Sequence, residues 1–210
     1  MKKQGSLVVV SGFAGTGKGT VMKELLKRYD SYALSVSATT RSPREGEVDG
    51  REYFFKTKEE FEKMIEEGEF VEHACYVGNY YGTPKKYVEE QMAAGKDVIL
   101  EIEIQGALKI KEKFPQALLL FIAPPSADVL KQRLTDRGTE TQEVIDKRLA
   151  RAVEESQGIE NYDYLVVNDV LDECVENVHH MIQCEGWRMN RRQADVEELK
   201  RQISKFSKGE

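Results

Sequence analysis

A glycine-rich segment with a single lysine follows an apolar run near the start of the chain. Leu7–Val10 predicts a buried strand and Thr20–Arg28 predicts a helix, so the segment lies where a strand turns into a helix. Glycines let successive backbone N–H groups point at a phosphate, and Lys18 adds a cation beside the positive end of the helix dipole. These features predict a phosphate-binding loop consisting of Gly12, Phe13, Ala14, Gly15, Thr16, Gly17, Lys18, Gly19 and Thr20.

The residue after Lys18 departs from the usual pattern of such loops. It is Gly19, whereas a Ser or Thr at that position usually offers its hydroxyl to Mg²⁺. Thr20 carries the nearest hydroxyl group, so we expect it to be the replacement. The alternative for the whole segment is a glycine-rich turn with a surface lysine, which the flanking strand and helix disfavour.

A second segment, Ser37–Arg44, places two guanidinium groups three residues apart beside a cluster of hydroxyl groups. The guanidinium groups of Arg41 and Arg44 can each bind two phosphate oxygens at once. Pro43 keeps the segment out of a helix and limits its freedom. Taken alone, however, such a segment is more often a solvated basic loop.

Further side chains suited to nucleotide binding follow at Tyr53, Glu72, Tyr81 and Thr83. Tyrosine hydroxyls can donate to phosphate, and a carboxylate or a threonine hydroxyl can contact the edge of a base. Each residue also has a structural explanation. Tyr53 could pack on a sheet, Glu72 could be the solvated side of a strand, and Thr83 could cap the next helix.

Composition excludes several classes of function. The chain has 210 residues, 40% hydrophobic and 32% charged, which suits one sizeable domain. Its net charge of −6 argues against a general nucleic-acid binder. No apolar stretch reaches the length of a membrane span, no signal-peptide pattern opens the chain, and three scattered cysteines form no metal-binding or disulfide pattern. We therefore expect a cytoplasmic protein that binds neither nucleic acid nor membrane.

Strand and helix signals alternate along most of the chain, which predicts an α/β fold with a parallel sheet flanked by helices. Strands are predicted at Ala33–Ser37, Val98–Ile104, Ala117–Ile122 and Leu165–Val167, with helices between them, one opening at Pro84 and another spanning Ala107–Lys113. Two arginine-bearing stretches, 37–83 and 133–157, interrupt this rhythm. Ligands bind at the edge of such sheets, so we expect both stretches to be insertions at that edge.

Longer motifs resemble those of the guanylate kinase family. The residues that carry the resemblance are Ser37–Tyr53, Gly78-Asn79-Tyr80-Tyr81-Gly82-Thr83, Ile122–Ser126, Arg137–Thr141 and Val167-Asn168-Asp169. The resemblance covers the chain from residue 5 to about 185. It implies a single P-loop NTPase-like domain over 1–210 with a core at 5–36, 84–132 and 158–190. It also implies a GMP-binding insertion at about 37–83, a helical lid at about 133–157 and a charged tail at about 191–210.

The resemblance implies an enzyme that transfers the γ-phosphoryl group of MgATP to GMP, and it assigns roles only where residues match. Lys18, Arg137 and Arg148 would be catalytic, and Arg133 and Asn168 would join the loop in binding ATP. Thr20 and Glu101 would bind Mg²⁺. The family often has aspartate at 101 or 103, whereas this chain has glutamate at both positions. The GMP site would consist of Ser37, Arg41, Arg44, Tyr53, Glu72, Tyr81, Thr83 and Glu103.

The chemistry of the residues agrees with this reading. Guanine presents N1–H and N2–H₂ donors on one edge, and a carboxylate such as Glu72 accepts both, whereas adenine has an acceptor at N1. A nucleoside monophosphate with a second pKa of about 6 is already anionic at neutral pH, so the reaction needs no general base. Catalysis would then rest on positioning the substrates and neutralising charge.

Two other functions stay open from the sequence. One is a guanylate-kinase-like binding module without catalysis, which the presence of Lys18, Arg137 and Arg148 disfavours. The other is a kinase for AMP or dGMP. Glu72 argues against AMP, but no residue excludes dGMP. The sequence also leaves a homo-oligomer open.

Overall fold

The computed structural model describes residues 5–76, 78–136 and 141–208. In chain order its strands and helices are β1 (Leu7–Ser11), α1 (Lys18–Arg28), β2 (Tyr32–Leu34), β3 (Ala38–Thr39), β4 (Phe54–Phe55), α2 (Lys58–Glu66), β5 (Phe70–Tyr76), β6 (Asn79–Pro84), α3 (Lys85–Ala93), β7 (Asp97–Glu101), α4 (Ile104–Lys113), β8 (Leu118–Ala123), α5 (Ala127–Asp136), α6 (Gln142–Ser156), β9 (Tyr164–Val167), α7 (Leu171–Glu185) and α8 (Gln193–Ile203). Short 3₁₀ helices follow α6, α7 and α8.

The central sheet has five parallel strands in the order β2-β7-β1-β8-β9, which confirms the predicted α/β fold. Alternate residues of β1 point to opposite faces. Val8 and Val10 pack with α1 and α7, whereas Leu7 and Val9 pack with α3 and α4. Because helices cover both faces, the inner strands read as continuous apolar runs. The sheet thereby fixes the carboxyl ends of β1 and β7 side by side.

A second sheet of four strands, in the order β4-β3-β6-β5, lies within the stretch predicted to be an insertion. β5 and β6 form an antiparallel hairpin, and α2 covers the sheet through Phe61, which stacks on Phe70 at 4.4 Å and on Tyr80 at 5.3 Å between ring centroids. α2 begins with a capping box: the Thr57 hydroxyl accepts from the Glu60 N–H while the Glu60 carboxylate accepts from the Thr57 N–H.

Several predicted boundaries differ from the structure by one to three residues, and α4 begins at Ile104 rather than at Ala107. The strand predicted at Ala33–Ser37 ends at Leu34, where the chain leaves the central sheet for the second one. The strand predicted at Val98–Ile104 ends at Glu101, because Glu103 is the N-cap of α4 and Ile104 is buried as the first residue of that helix. Pro84 lies one residue before the first helical residue of α3.

The C-terminal region is largely exposed. α8 buries none of its side chains, and Leu199 and Ile203 are more than half exposed. Charged pairs such as Lys200–Glu197 and Arg201–Glu198 line its surface. No helix in the described ranges is both long enough and apolar enough to cross a membrane.

Candidate active site

The glycine-rich segment connects β1 to α1 with a backbone that favours glycine, most clearly at Gly15 and Gly17. Gly15 and Gly17 have φ of 92° and 87°, in the left-handed region. The structure also leaves no space for a side chain there. A Cβ on Gly15 would lie 2.8 Å from Leu134, and one on Gly17 would lie 2.7 Å from the amide nitrogen of Asn168. The backbone conformation and the close neighbours therefore both favour glycine at these two positions.

Lys18 is the first residue of α1, so its ammonium group lies beside the helix N-terminus. Its Nζ donates to the carbonyl oxygens of Gly12 and Phe13, at 2.5 and 3.0 Å. These bonds bring the ammonium group back over the loop. A phosphate bound by the loop would thus meet a cation and the positive end of α1 together.

Two predicted loop residues use their side chains to shape the loop. Phe13 packs edge-on against Phe121, with 5.0 Å between ring centroids, and the buried Thr16 hydroxyl donates to the Phe13 carbonyl at 2.9 Å. Asn168, predicted near the adenine, is buried, and its amide donates to the Thr16 carbonyl at 2.7 Å. Asn168 therefore supports the loop from behind, and an adenine contact there stays a prediction.

A cleft of about 560 Å³ opens over the loop, and we call it the loop cleft. Thr20 lies in its wall, as does Lys23 one turn further along α1. Arg148 reaches it from α6, in the stretch predicted to be a lid. The residues that line the loop cleft are Ala14, Gly15, Gly17, Lys18, Gly19, Thr20, Lys23, Glu101 and Arg148.

A second cleft, of about 480 Å³, lies between the central sheet and the second sheet, and we call it the inter-sheet cleft. The predicted GMP-binding residues that line it are Ser37, Tyr53, Glu72, Tyr81 and Glu103. Arg151 of α6 forms part of the same wall. The cleft therefore brings together residues that lie as far apart in the sequence as 37 and 151.

Glu72 is the deepest carboxylate of the inter-sheet cleft and is 5% exposed. Its Oε1 accepts from the Thr83 hydroxyl at 2.9 Å, which holds the carboxylate in one orientation. Burial raises the pKa of Glu72, whereas the bond from Thr83 and the charges of Lys109 and Lys113 lower it. A ligand that donates hydrogen bonds to this carboxylate would offset its desolvation.

Gly106 in α4 makes room for Glu72. A Cβ at this position would lie 3.2 Å from Glu72 Oε2 and 3.3 Å from Ile102, tighter than ordinary contacts. Glycine inside a helix is normally destabilising relative to alanine, and here its absent side chain permits the close approach of the carboxylate. Gly106 was not predicted, although an isolated helical glycine just after a strand end is a signal for such contacts.

Arg41 lies next to the two predicted tyrosines at the rim of the inter-sheet cleft. Its guanidinium carbon is 5.3 Å from the centre of the Tyr53 ring, and Tyr53 meets Tyr81 edge-on at 6.1 Å. Arg41 Nη2 donates to both carboxylate oxygens of Glu47, at 2.9 and 3.0 Å. Glu47 also accepts from the backbone N–H of Arg44 at 2.7 Å, so this unpredicted residue organises the arginine-bearing turn.

The two clefts meet at Lys18 and Glu101, which line both of them. Glu101 ends β7 and Lys18 begins the helix after β1, and β1 and β7 are neighbours in the sheet. Shielding by the cleft walls raises the pKa of the Glu101 carboxyl group, although the residue as a whole is exposed. The nearby Lys18 ammonium opposes this shift and Glu103 adds to it. The two clefts are therefore adjacent at this point.

Besides Arg41 at the rim, three further predicted arginines are not among the residues that line the two clefts. Arg137 lies outside the described residues. Arg133 in α5 is half-buried, and its charge acts on the thiol of Cys174. The side chain of Arg44 is exposed beside the rim of the inter-sheet cleft. Their contacts with nucleotides stay predictions.

Comparisons with known proteins agree with this geometry. A sequence model of the family described as "Guanylate kinase" matches residues 4–185. A guanylate kinase of Caldanaerobacter subterraneus subsp. tengcongensis is 51% identical over 91% of this chain and 93% of its own length. One of Halalkalibacterium halodurans is 52% identical over 90% and 93%. The crystal structure of guanylate kinase from Anaplasma phagocytophilum has a TM-score of 0.74, 34% identity and 90% coverage of both chains.

Proposed function

The chain belongs to the guanylate kinase family and is an enzyme that phosphorylates GMP with ATP, and we propose that the two clefts are its two substrate sites. The loop cleft would hold ATP and the inter-sheet cleft would hold GMP. The observation that carries this assignment is the meeting of the clefts at Lys18 and Glu101. Direct transfer requires the γ-phosphate of ATP and the phosphate of GMP to lie in line at one place.

In the GMP site, the guanine edge would lie against Glu72. The fixed carboxylate can accept from N1–H and N2–H₂ of guanine, which offsets the cost of burying it. The Thr83 hydroxyl donates to this carboxylate, and Ser37 and Glu103 line the same cleft. The phosphate would reach Arg41, Tyr53 and Tyr81 at the rim, with Arg44 closing over it from the exposed turn.

In the ATP site, the backbone of Gly12–Thr20 would surround the phosphates, and Lys18 would neutralise charge that develops during transfer. Arg148 faces the same cleft from α6 and would act on the transferring group. Arg137, Arg133 and Asn168 are proposed to contact ATP as well. The stretch 133–157 would act as a lid and 37–83 as the GMP-binding insertion.

Mg²⁺ bound with ATP fits the donors at this place. Within the described ranges no group of three or more His, Cys, Asp or Glu side chains could hold a metal, and Mg²⁺ in kinases usually needs only one or two carboxylates plus phosphates and water. Glu101 supplies such a carboxylate, and Thr20 supplies a hydroxyl in the same cleft. The ion would neutralise negative charge on the phosphates of ATP.

The reaction would proceed without a general base, because a phosphate with a second pKa of about 6 is largely dianionic at neutral pH. The residues of this chain would bind, orient and shield the reactants. A nucleotide panel tests the assignment: ADP release should be fast with GMP, present with dGMP, and weak with AMP, UMP and CMP. Equal rates across the panel would contradict guanine selection by the inter-sheet cleft.

A further inference from the structure

Helix α8 carries an apolar seam that is largely exposed in the described chain. The seam consists of Val196, Leu199 and Ile203 in α8 and of Phe206 in the 3₁₀ helix that follows it. Leu199 and Ile203 are 56% and 55% exposed, and Phe206 is 79% exposed. The seam lies outside residues 4–185, which the family model matches, and none of its members is among the described residues that line the two clefts. The substrate sites therefore do not explain it.

The spacing of the seam residues is that of a two-stranded coiled coil. Successive members are three, four and three residues apart, which places Val196 and Ile203 at the a positions of a heptad and Leu199 and Phe206 at the d positions. β-branched residues at a with leucine at d favour a pair of parallel helices over a trimer or tetramer. The seam is therefore suited to a second copy of the same helix.

The positions that flank the seam are polar, which keeps the apolar stripe narrow. Asp195 and Gln202 occupy the g positions, and Gln193 and Lys200 occupy the e positions. A helix that packs on the core of its own domain usually has a broader apolar face, whereas a stripe restricted to a and d is typical of a coiled-coil seam. The width of the stripe thus agrees with its spacing.

The charges beside the seam favour a parallel partner. In a parallel pair, the g residue of one helix lies beside the e residue five positions later on the other, so Asp195 of each copy would meet Lys200 of the other. In an antiparallel pair g faces g and e faces e, and these two residues would not meet. Within one chain Asp195 pairs with Arg192 and Lys200 pairs with Glu197, yet the two side chains are 62% and 67% exposed. Both charges are therefore accessible to a second copy.

We propose that α8 is a self-association surface through which two copies of this chain pair as parallel helices along the seam. A lipid surface fits α8 less well, because Glu197 and Glu198 accompany Lys200 and Arg201 on its polar side, whereas membrane-surface helices have a basic polar side. The seam is short, so the dimer is weak, with a dissociation constant of roughly 10⁻⁵–10⁻⁴ M. The dimer requires no nucleotide.

Sedimentation equilibrium of the full chain, without nucleotides, tests the proposal. The protein concentration would run from about one tenth to about ten times the expected dissociation constant. The average mass of the wild type should rise with concentration from that of one chain toward that of two. Leu199→Glu should raise the dissociation constant at least about tenfold, because it places a charge from each copy in the seam.

Ala194→Glu is the matched control, because it adds the same side chain at an exposed position on the opposite side of α8. This variant should associate like the wild type. At concentrations far below the dissociation constant, both variants should phosphorylate GMP at the wild-type rate, since neither residue lines a cleft. A wild type that dimerises but does not phosphorylate GMP would refute the proposed function and leave the seam in place.

A charge exchange tests the parallel arrangement. Asp195→Lys and Lys200→Asp each bring like charges together between the copies, so each should weaken the dimer. The double variant Asp195→Lys/Lys200→Asp restores opposite charges between the copies and should recover the association. It does not restore the pairs with Arg192 and Glu197 within the chain, so recovery reports contact between the copies.

Three results would overturn the proposal. One is a wild type that stays monomeric over the whole range, which is also the result expected if a lipid surface or a different protein covers the seam. Another is a dimer that Leu199→Glu weakens no more than Ala194→Glu does. The third is a double charge variant that associates no better than the two single variants, which would exclude parallel pairing through Asp195 and Lys200.

Discussion

The substitution Glu72→Gln tests base recognition separately from the stability of the fold. Glu72→Gln retains the shape of the side chain, and its amide can still pair with the Thr83 hydroxyl, which now bonds Oε1 at 2.9 Å. One of the two acceptors for guanine becomes a donor. The variant therefore changes which hydrogen bonds the side chain can make, while its size and its burial, at 5% exposure in the wild type, are retained.

The expected loss follows from the bonds that guanine would make. A hydrogen bond to a charged group contributes about 1.5–3 kcal/mol, and a donor left without an acceptor costs about 1–3 kcal/mol more. Together these losses of about 2.5–6 kcal/mol correspond to a decrease of roughly 10²- to 10⁴-fold in kcat/KM for GMP. The wild type should prefer GMP over AMP by about a thousandfold or more, and the variant should lose most of that preference.

The thermal stability of Glu72→Gln should stay the same or rise while its activity with GMP falls, so misfolding would not explain the loss of activity. The folded-state pKa of Glu72 is raised by burial, so its contribution to stability is complete below the unfolded pKa and is lost as pH rises through the folded pKa. At neutral pH the buried charge is a cost that glutamine removes. Glu72→Gln is therefore expected to melt at or above the wild-type temperature.

A coupled assay of ADP release with GMP and AMP measures the preference, and thermal unfolding measures stability. Glu69→Gln serves as the control, because Glu69 lies just before β5 and is exposed. If Glu72→Gln still discriminates GMP from AMP as the wild type does, Glu72 does not read the base and the assignment of the inter-sheet cleft is wrong.

The other predictions concern the loop, the helix glycine and closure. Lys18→Ala should lower kcat by about 10²- to 10³-fold while the melting temperature stays close to that of the wild type, and near-normal turnover would refute the role of the ammonium group. Gly106→Ala should raise KM for GMP, because its Cβ would press on Glu72 from 3.2 Å, without the loss of stability expected for a packing defect, since alanine favours a helix. Equal GMP affinity in titrations of Gly106→Ala and wild type would contradict that reading. The 37–83 and 133–157 stretches should move toward the core when both substrates bind, and small-angle scattering with a saturating bisubstrate analogue should show a smaller radius of gyration than the free protein.

Features set by nearby residues were predictable from the sequence. The glycine spacing around Lys18 acts within a few residues, and the strand-to-helix turn that it predicts matches the structure. The capping box of Thr57 and Glu60 is a signal of the same local kind. The apolar strands of the central sheet were predictable because both of its faces are buried. The order of the strands in the sheet could not be predicted from the individual strand sequences.

Features that depend on distant contacts were missed. The alternation Leu34, Val36, Ala38 continues past the end of β2, so the pattern could not reveal that the chain changes sheets there. Gly106 and Glu72 come together only after α4 packs on β5. The sequence did not single out Arg151 and Glu155, although they pair within α6 and the Glu155 side chain is only 8% exposed.

The central claim is that the loop cleft and the inter-sheet cleft hold the two substrates side by side at Lys18 and Glu101. An adenosine–guanosine bisubstrate analogue, joined through its phosphates, tests it directly by titration calorimetry. The account predicts that a single analogue binds each chain and that prebound ATP and prebound GMP each weaken its binding. Glu72→Gln should weaken binding of the analogue and of GMP, but not of ATP. An analogue that competes with only one substrate, or that binds twice per chain, would contradict it.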